Sequence, residues 1–129
     1  NMPINWIDAQ PFKRGLIGDG WRTPNSYGCE FAEAKNWPAV YLFLMHAKEK
    51  DTNFPDFDKA IVAYVGMSRR LKMRWKNHLV LNELDATDHY IQRWFFRVQK
   101  NDLREIEAQL IRRFDPPWNI QGRPRGIAA

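Results

Sequence analysis

The segment Ala39-Val40-Tyr41-Leu42-Phe43-Leu44-Met45 decides the fold. It is apolar or aromatic at odd and even positions alike, so a strand made from it presents an apolar surface on both sides. Such a strand belongs in the centre of a sheet covered on both faces, and Pro38 marks its start. Working outward, a charged loop is expected over 46–58, with Lys48, Glu49, Lys50, Asp51, Asp56 and Asp58, followed by a second strand over 60–66. A basic helix is predicted over 69–81, because Leu71, Trp75 and Leu79 recur at i, i+4 and i+8 and define one inward stripe. A third strand is expected over 90–99, where Tyr90, Trp94, Phe96 and Val98 interleave with Arg93, Arg97 and Gln99. A second helix is predicted over 102–114, opened by Asp102 and Glu105 as a capping box and stopped by Pro116 and Pro117.

The order strand, strand, helix, strand, helix implies an α+β fold: a small three-stranded, mainly antiparallel sheet flanked by helices. Residues 1–37 are rich in Gly, Pro, Asn and aromatic side chains, with a short helix expected over 27–35. They read as an N-terminal extension packed on the domain formed by 38–129.

A chain of 129 residues suits a single domain, able to bury roughly two thirds of the surface its unfolded form exposes. The single cysteine, Cys29, excludes a disulfide framework and a Cys-based zinc site, and fits a reducing, intracellular setting. His46, His78 and His89 are too scattered to suggest a metal cluster by themselves. With no basic leader ahead of an apolar core and no apolar run of membrane-spanning length, a soluble, cytoplasmic protein without membrane contact is expected.

Twenty Lys and Arg against fifteen Asp and Glu give a formal charge of +5. The excess favours polyanionic partners through phosphate neutralisation and counterion release. It is concentrated at Arg69, Arg70, Lys72, Arg74 and Lys76, and again at Arg112, Arg113, Arg123 and Arg125. A solvated helix face is the plain alternative for either run.

Three features look out of place for a simple core. On the second helix Leu103, Ile106, Leu110 and Phe114 form one stripe at about 100° per residue, and Glu107 projects inside it. A carboxylate there must meet a cation, either a metal ion or an arginine at the edge of the core. On the first helix Arg74 and His78 are spaced i, i+4 and border the apolar stripe, where they could line a cleft or simply snorkel. Tyr41 and Tyr64 sit on the first two strands, where tyrosine is also an ordinary core residue. Gly66-Met67-Ser68 is no nucleophile elbow, since Arg70 stands where the second glycine should be and no matching acid and histidine are evident.

Taken together, Tyr64-Val65-Gly66-Met67-Ser68, Arg74-Trp75-Lys76-Asn77-His78, Glu107 and Pro116-Pro117-Trp118-Asn119 resemble the GIY-YIG nuclease superfamily, over roughly 38–120. Members include homing endonucleases, some restriction enzymes and the incision subunit of bacterial nucleotide excision repair, all nucleases that use a divalent cation. By this resemblance Tyr64 is the tyrosine of the second motif, Arg74 the arginine, His78 the histidine or tyrosine one turn later, Glu107 the metal-binding glutamate and Asn119 the late asparagine. Tyr41 takes the place of the first motif's tyrosine. Ala39 departs from the usual glycine, and the stretch between the two motifs is longer than in typical members, the excess falling in the loop over 46–58.

The resemblance implies an endonuclease hydrolysing phosphodiester bonds in DNA, with double-stranded DNA the expected partner. Glu107 would hold one Mg²⁺ or Mn²⁺, Arg74 would neutralise the equatorial oxygens, and a tyrosine, for preference Tyr41, would deprotonate or orient the water with His78 as proton partner. Arg69, Arg70, Lys72 and Lys76 would contact the nucleic acid. Cutting both strands needs two active sites or two successive nicks, which leaves a dimer open. Two other readings compete: a catalytically silent nucleic-acid-binding module of the same fold, and a protein-interaction domain that docks through Trp21, Tyr27 and Trp37. The nuclease reading demands one geometry, with Glu107 facing Arg74 and His78 across a sheet edge that presents Tyr41 and Tyr64.

Overall fold

The computed structural model describes residues 35–47, 60–87 and 89–119. Three strands, β1 (Ala39–Ala47), β2 (Ile61–Ser68) and β3 (His89–Arg97), form one antiparallel sheet in the order β2-β1-β3. Helices α1 (Leu71–Lys76) and α2 (Leu79–Asp85) follow β2, and α3 (Leu103–Phe114) follows β3. The α+β architecture with a three-stranded sheet is the one expected from the sequence.

β1 takes the centre because both of its sides are apolar. Val40, Leu42 and Leu44 face Leu103, Leu110 and Phe114 of α3, while Tyr41, Phe43 and Met45 face Leu71, Trp75, Leu81 and Leu84 of α1 and α2. The result is two cores separated by one sheet. Each fully buried large side chain contributes about 1.5–3 kcal/mol relative to exposure. The stripe read on α3 is borne out, with Leu103, Leu110 and Phe114 buried and Ile106 partly buried against them.

The pairing of β1 with β2 slips at one point. Phe43 pairs with Tyr64 but Leu44 pairs with Val62, so Ala63 is an extra residue on β2. A bulge of this kind reverses the alternation of side chains beyond it. Before it, Ile61 and Ala63 lie on the α1–α2 face and Val62 on the α3 face; after it, Tyr64 joins the α1–α2 face and Val65 the α3 face. Strict alternation would have kept Tyr64 on the side of Val62, away from Tyr41.

The single helix expected over 69–81 is instead two. α1 stops at Lys76, Asn77 and His78 leave helical geometry (ψ 48° and 112°), and His78 caps α2, its Nδ1 accepting from the Leu81 backbone N–H at 3.4 Å. The break restarts the apolar phase. Leu71 and Trp75 are buried as expected, but Leu79 is 69 % exposed and Leu81 and Leu84 fill the core in its place. Arg70 supplies no side-chain cap to α1. Residues 35–37 satisfy the free donors of its first turn instead: Leu71 N–H donates to Trp37 O, Lys72 N–H to Lys35 O and Met73 N–H to Asn36 Oδ1.

The capping box at Asp102 does not form. Asp102 ends a 3-10 turn, Lys100–Asp102, and is itself helical (φ −100°, ψ −8°), so its side chain makes no capping bond. A capping side chain needs extended backbone to swing over the first turn. The stop is as expected: α3 ends at Phe114, and Asp115 turns left-handed (φ 43°) ahead of Pro116. A residue before proline avoids the right-handed helical region, and aspartate tolerates the left-handed one. β1 runs through Ala47, so the loop expected from residue 46 begins later, and the remainder of that loop lies outside the described residues. So do the N-terminal extension before residue 35 and the basic residues Arg123 and Arg125. Among the described residues no helix is long and apolar enough to cross a membrane.

Candidate active site

The antiparallel register sets Tyr41 opposite Gly66. A side chain at Gly66 would collide with the Tyr41 ring, its Cβ falling 2.5 Å from the hydroxyl oxygen. Glycine is needed here for close approach, and the Tyr41 phenol lies in the space it leaves open. Tyr41 is 1 % exposed, enclosed by Phe43, Trp75 and His78 with ring centroids 5.3, 5.7 and 5.6 Å away. The bulge brings Tyr64 to the same face, 6.3 Å from Tyr41, stacked on Phe43 at 5.5 Å and edge-on to His78 at 5.3 Å. Tyr64 is only half-buried.

His78 is buried, and its Nε2 lies 2.8 Å from the Tyr41 hydroxyl. Burial, helped by the charge of Arg74, lowers its pKa to about 4, so the ring is neutral at pH 7. Because Nδ1 accepts from Leu81, the single proton of the neutral ring is on Nε2. In that tautomer His78 donates to the Tyr41 oxygen. The i, i+4 stacking of Arg74 on His78 also falls with the helix break: His78 turns into the core while Arg74 stays exposed.

Burial raises the pKa of Tyr41 most, reinforced by the neighbouring Tyr64 and by the charge of Glu107, while Arg74 pulls it back by charge and hydrogen bonding. The pKa of Tyr64 is raised by burial and by Glu107 and lowered by Arg74. Both hydroxyls thus lie within electrostatic reach of Arg74 on α1 and of Glu107 on α3. Glu107 is half-buried, and burial lifts its pKa against the opposing charge of Arg104. Tyr41, Tyr64 and His78 are in ring contact on the α1–α2 face with Arg74 beside the two hydroxyls, whereas Glu107, on α3, reaches the tyrosines through its charge alone.

Asn119 does something different. Its Oδ1 accepts from the Val65 backbone N–H at 2.8 Å and its Nδ2 donates to the Val65 carbonyl at 2.7 Å. With Trp118 N–H donating to Ala63 O, the Pro-Pro-Trp-Asn segment lines the outer edge of β2. The amide thus holds the backbone between Tyr64 and Gly66. Of the expected nucleic-acid contacts, Arg69, Arg70 and Lys76 are exposed and Lys72 is partly so. Trp37 stacks on Phe95 at 5.7 Å beneath the Arg97 guanidinium at 4.6 Å, leaving it half-buried; Trp21 and Tyr27 lie outside the described residues.

Among the described residues no three His, Cys, Asp or Glu side chains gather as a metal-binding group. The donor set is one half-buried carboxylate. That does not fit a zinc cage, but it fits Mg²⁺, which keeps several waters and takes one or two carboxylates together with substrate phosphate oxygens. Compared with protein-family models, curated proteins and solved structures, the chain finds no match.

Proposed function

We propose that this protein is a divalent-metal-dependent endonuclease, of the kind found in the GIY-YIG superfamily, that hydrolyses phosphodiester bonds in DNA. What supports the reading is the hydrogen-bonded Tyr41–His78 pair next to a half-open Tyr64 and an exposed Arg74, with the half-buried carboxylate of Glu107 adding its charge to the field at both tyrosines. Glu107 would hold Mg²⁺ or Mn²⁺ together with substrate oxygens, and the cation, when bound, neutralises charge on the reacting phosphate. Arg74, charged and solvent-facing, takes the remaining equatorial charge.

Tyr64 is the tyrosine that reaches substrate. It is half-open and faces Arg74, whereas Tyr41, the residue preferred on sequence, is sealed and its pKa is driven up. With its hydroxyl beside Arg74, Tyr64 orients the attacking water by hydrogen bonding. Tyr41 and His78 support it from below: the His78 N–H fixes the Tyr41 oxygen, and the Tyr41 ring backs Tyr64. Asn119 holds the strand that carries Tyr64. The test is to incubate the full chain with supercoiled plasmid and Mg²⁺ or Mn²⁺. Wild type nicks the plasmid, while Glu107→Gln loses cleavage by about a hundredfold or more and keeps its salt-sensitive DNA binding. Cleavage undiminished in the variant removes Glu107 from the site. Binding without cleavage by wild type would favour the silent module.

A further inference from the structure

A second feature lies at the first turn of the helix that carries Glu107. Between the end of β2 and the first turn of α3 is an open cavity of about 540 Å³, lined by Ser68, Arg69, Lys100, Asn101 and Arg104 above an apolar floor. Its three cations come from two separate segments, and among the described residues no aspartate or glutamate lines it. Like charges converging on one concavity repel unless an anion occupies it. Neutral donors stand among them. The Ser68 oxygen already accepts from the Arg70 N–H at 2.9 Å, which leaves its hydroxyl proton free to donate, and Asn101 offers a side-chain amide.

We infer that this cavity binds a phosphodiester group of the DNA strand next to the one being cleaved, with Arg69, Lys100 and Arg104 as its cationic ligands. The inference rests on the nuclease reading for the identity of its polymer. Arg104 links the two sites, because it precedes Glu107 by three residues on the same helix and side chains so spaced are neighbours. Three residues of helix advance about 4.5 Å, the scale of one nucleotide step, roughly 3.4 Å along the duplex axis. A strand whose reacting phosphate is at Glu107 therefore brings a flanking phosphate to Arg104, on the rim of the cavity that Lys100 and Arg69 also line. Neither Lys100 nor Arg104 belongs to the basic run between Arg69 and Lys76, so the cavity extends the binding surface onto α3.

Binding of the full chain to a labelled 20-base-pair duplex is measured without divalent metal from about 50 to 200 mM salt, for wild type, Lys100→Gln, Arg69→Gln and Lys100→Arg. Each charge-removing variant is expected to lower the slope of log affinity against log salt by about 0.9, so that affinity falls roughly threefold less across that range. Lys100→Arg keeps the wild-type slope, which separates lost charge from lost folding. Inorganic phosphate and a mononucleotide are titrated in parallel and are expected to compete only at far higher concentration than the duplex. An unchanged slope in both glutamine variants overturns the inference and leaves the nuclease reading standing if plasmid is still cut. A lowered slope in a protein that cuts nothing supports the cavity and removes the hydrolytic reading. Tight binding of free phosphate that is lost in Lys100→Gln, without any effect on duplex binding, also overturns the inference.

Discussion

Gly66→Ala is the sharpest probe of how the site is held together. The added methyl would lie 2.5 Å from the Tyr41 hydroxyl oxygen and 2.7 Å from its Cε1, against ordinary carbon contacts of about 3.5–4.0 Å. The ring must retreat by roughly 1 Å to restore such a contact. Tyr41 has little room, being 1 % exposed and packed between Phe43, Trp75 and His78. Overpacking of this kind costs about 1–3 kcal/mol. The same retreat breaks the 2.8 Å bond to His78, a further loss of about 0.5–1.5 kcal/mol. Stiffening the unfolded chain offsets about 0.4–1 kcal/mol. The expected net destabilisation lies between about 0.5 and 4 kcal/mol and centres on about 2 kcal/mol, read as a lower urea midpoint at unchanged slope. Adding Tyr41→Leu removes the obstructing ring tip, so the two substitutions should couple by about 1 kcal/mol or more in a double-mutant cycle. A loss below about 0.5 kcal/mol, or strict additivity, would refute the close approach of Tyr41 to Gly66 as the reason for the glycine.

His78 predicts a pH dependence. Its folded pKa of about 4 lies below the ordinary 6.5, so the unfolded chain takes up the proton first and stability is lost as pH falls from about 6.5 toward 4, by on the order of 3 kcal/mol. Glu107 and Asp85, whose carboxyls burial pushes up, act in the opposite sense above the usual carboxylate range. The readout is therefore the difference between wild type and His78→Gln, and a native ring that titrates near 6.5 by NMR contradicts the assignment. Asn119→Ala strips both partners from the Val65 backbone and should destabilise by about 2–4 kcal/mol in denaturant unfolding; a change below about 1 kcal/mol means that water replaces the clamp at little loss. Leu79→Lys should be neutral within about 0.5 kcal/mol while Leu81→Ala costs about 2–5 kcal/mol, the reverse of what one unbroken helix would give.

The sequence by itself determined the order of the three strands, the central place of β1 and the core-facing stripe of α3, because these follow from local periodicity: a strand apolar on both sides has to be covered twice, and a 3.6-residue stripe has to be buried. It also named Tyr41, Tyr64, Arg74, His78 and Glu107, through motif order rather than through any spacing that reveals proximity. The rest depended on contacts between residues far apart along the chain. The bulge at Ala63 is a property of the β1–β2 pairing, not of β2, and it alone turns Tyr64 toward Tyr41. The break at Asn77 interrupts a run whose periodicity suits a continuous helix; tertiary packing decides it, because His78 is drawn to Tyr41, 37 residues away, and caps α2 in passing. Asn119 becomes a clamp only because its segment returns to β2, 54 residues from Val65. Periodicity reports which side of an element faces inward, whereas register, bulges and side-chain-to-backbone bonds are settled when the elements meet.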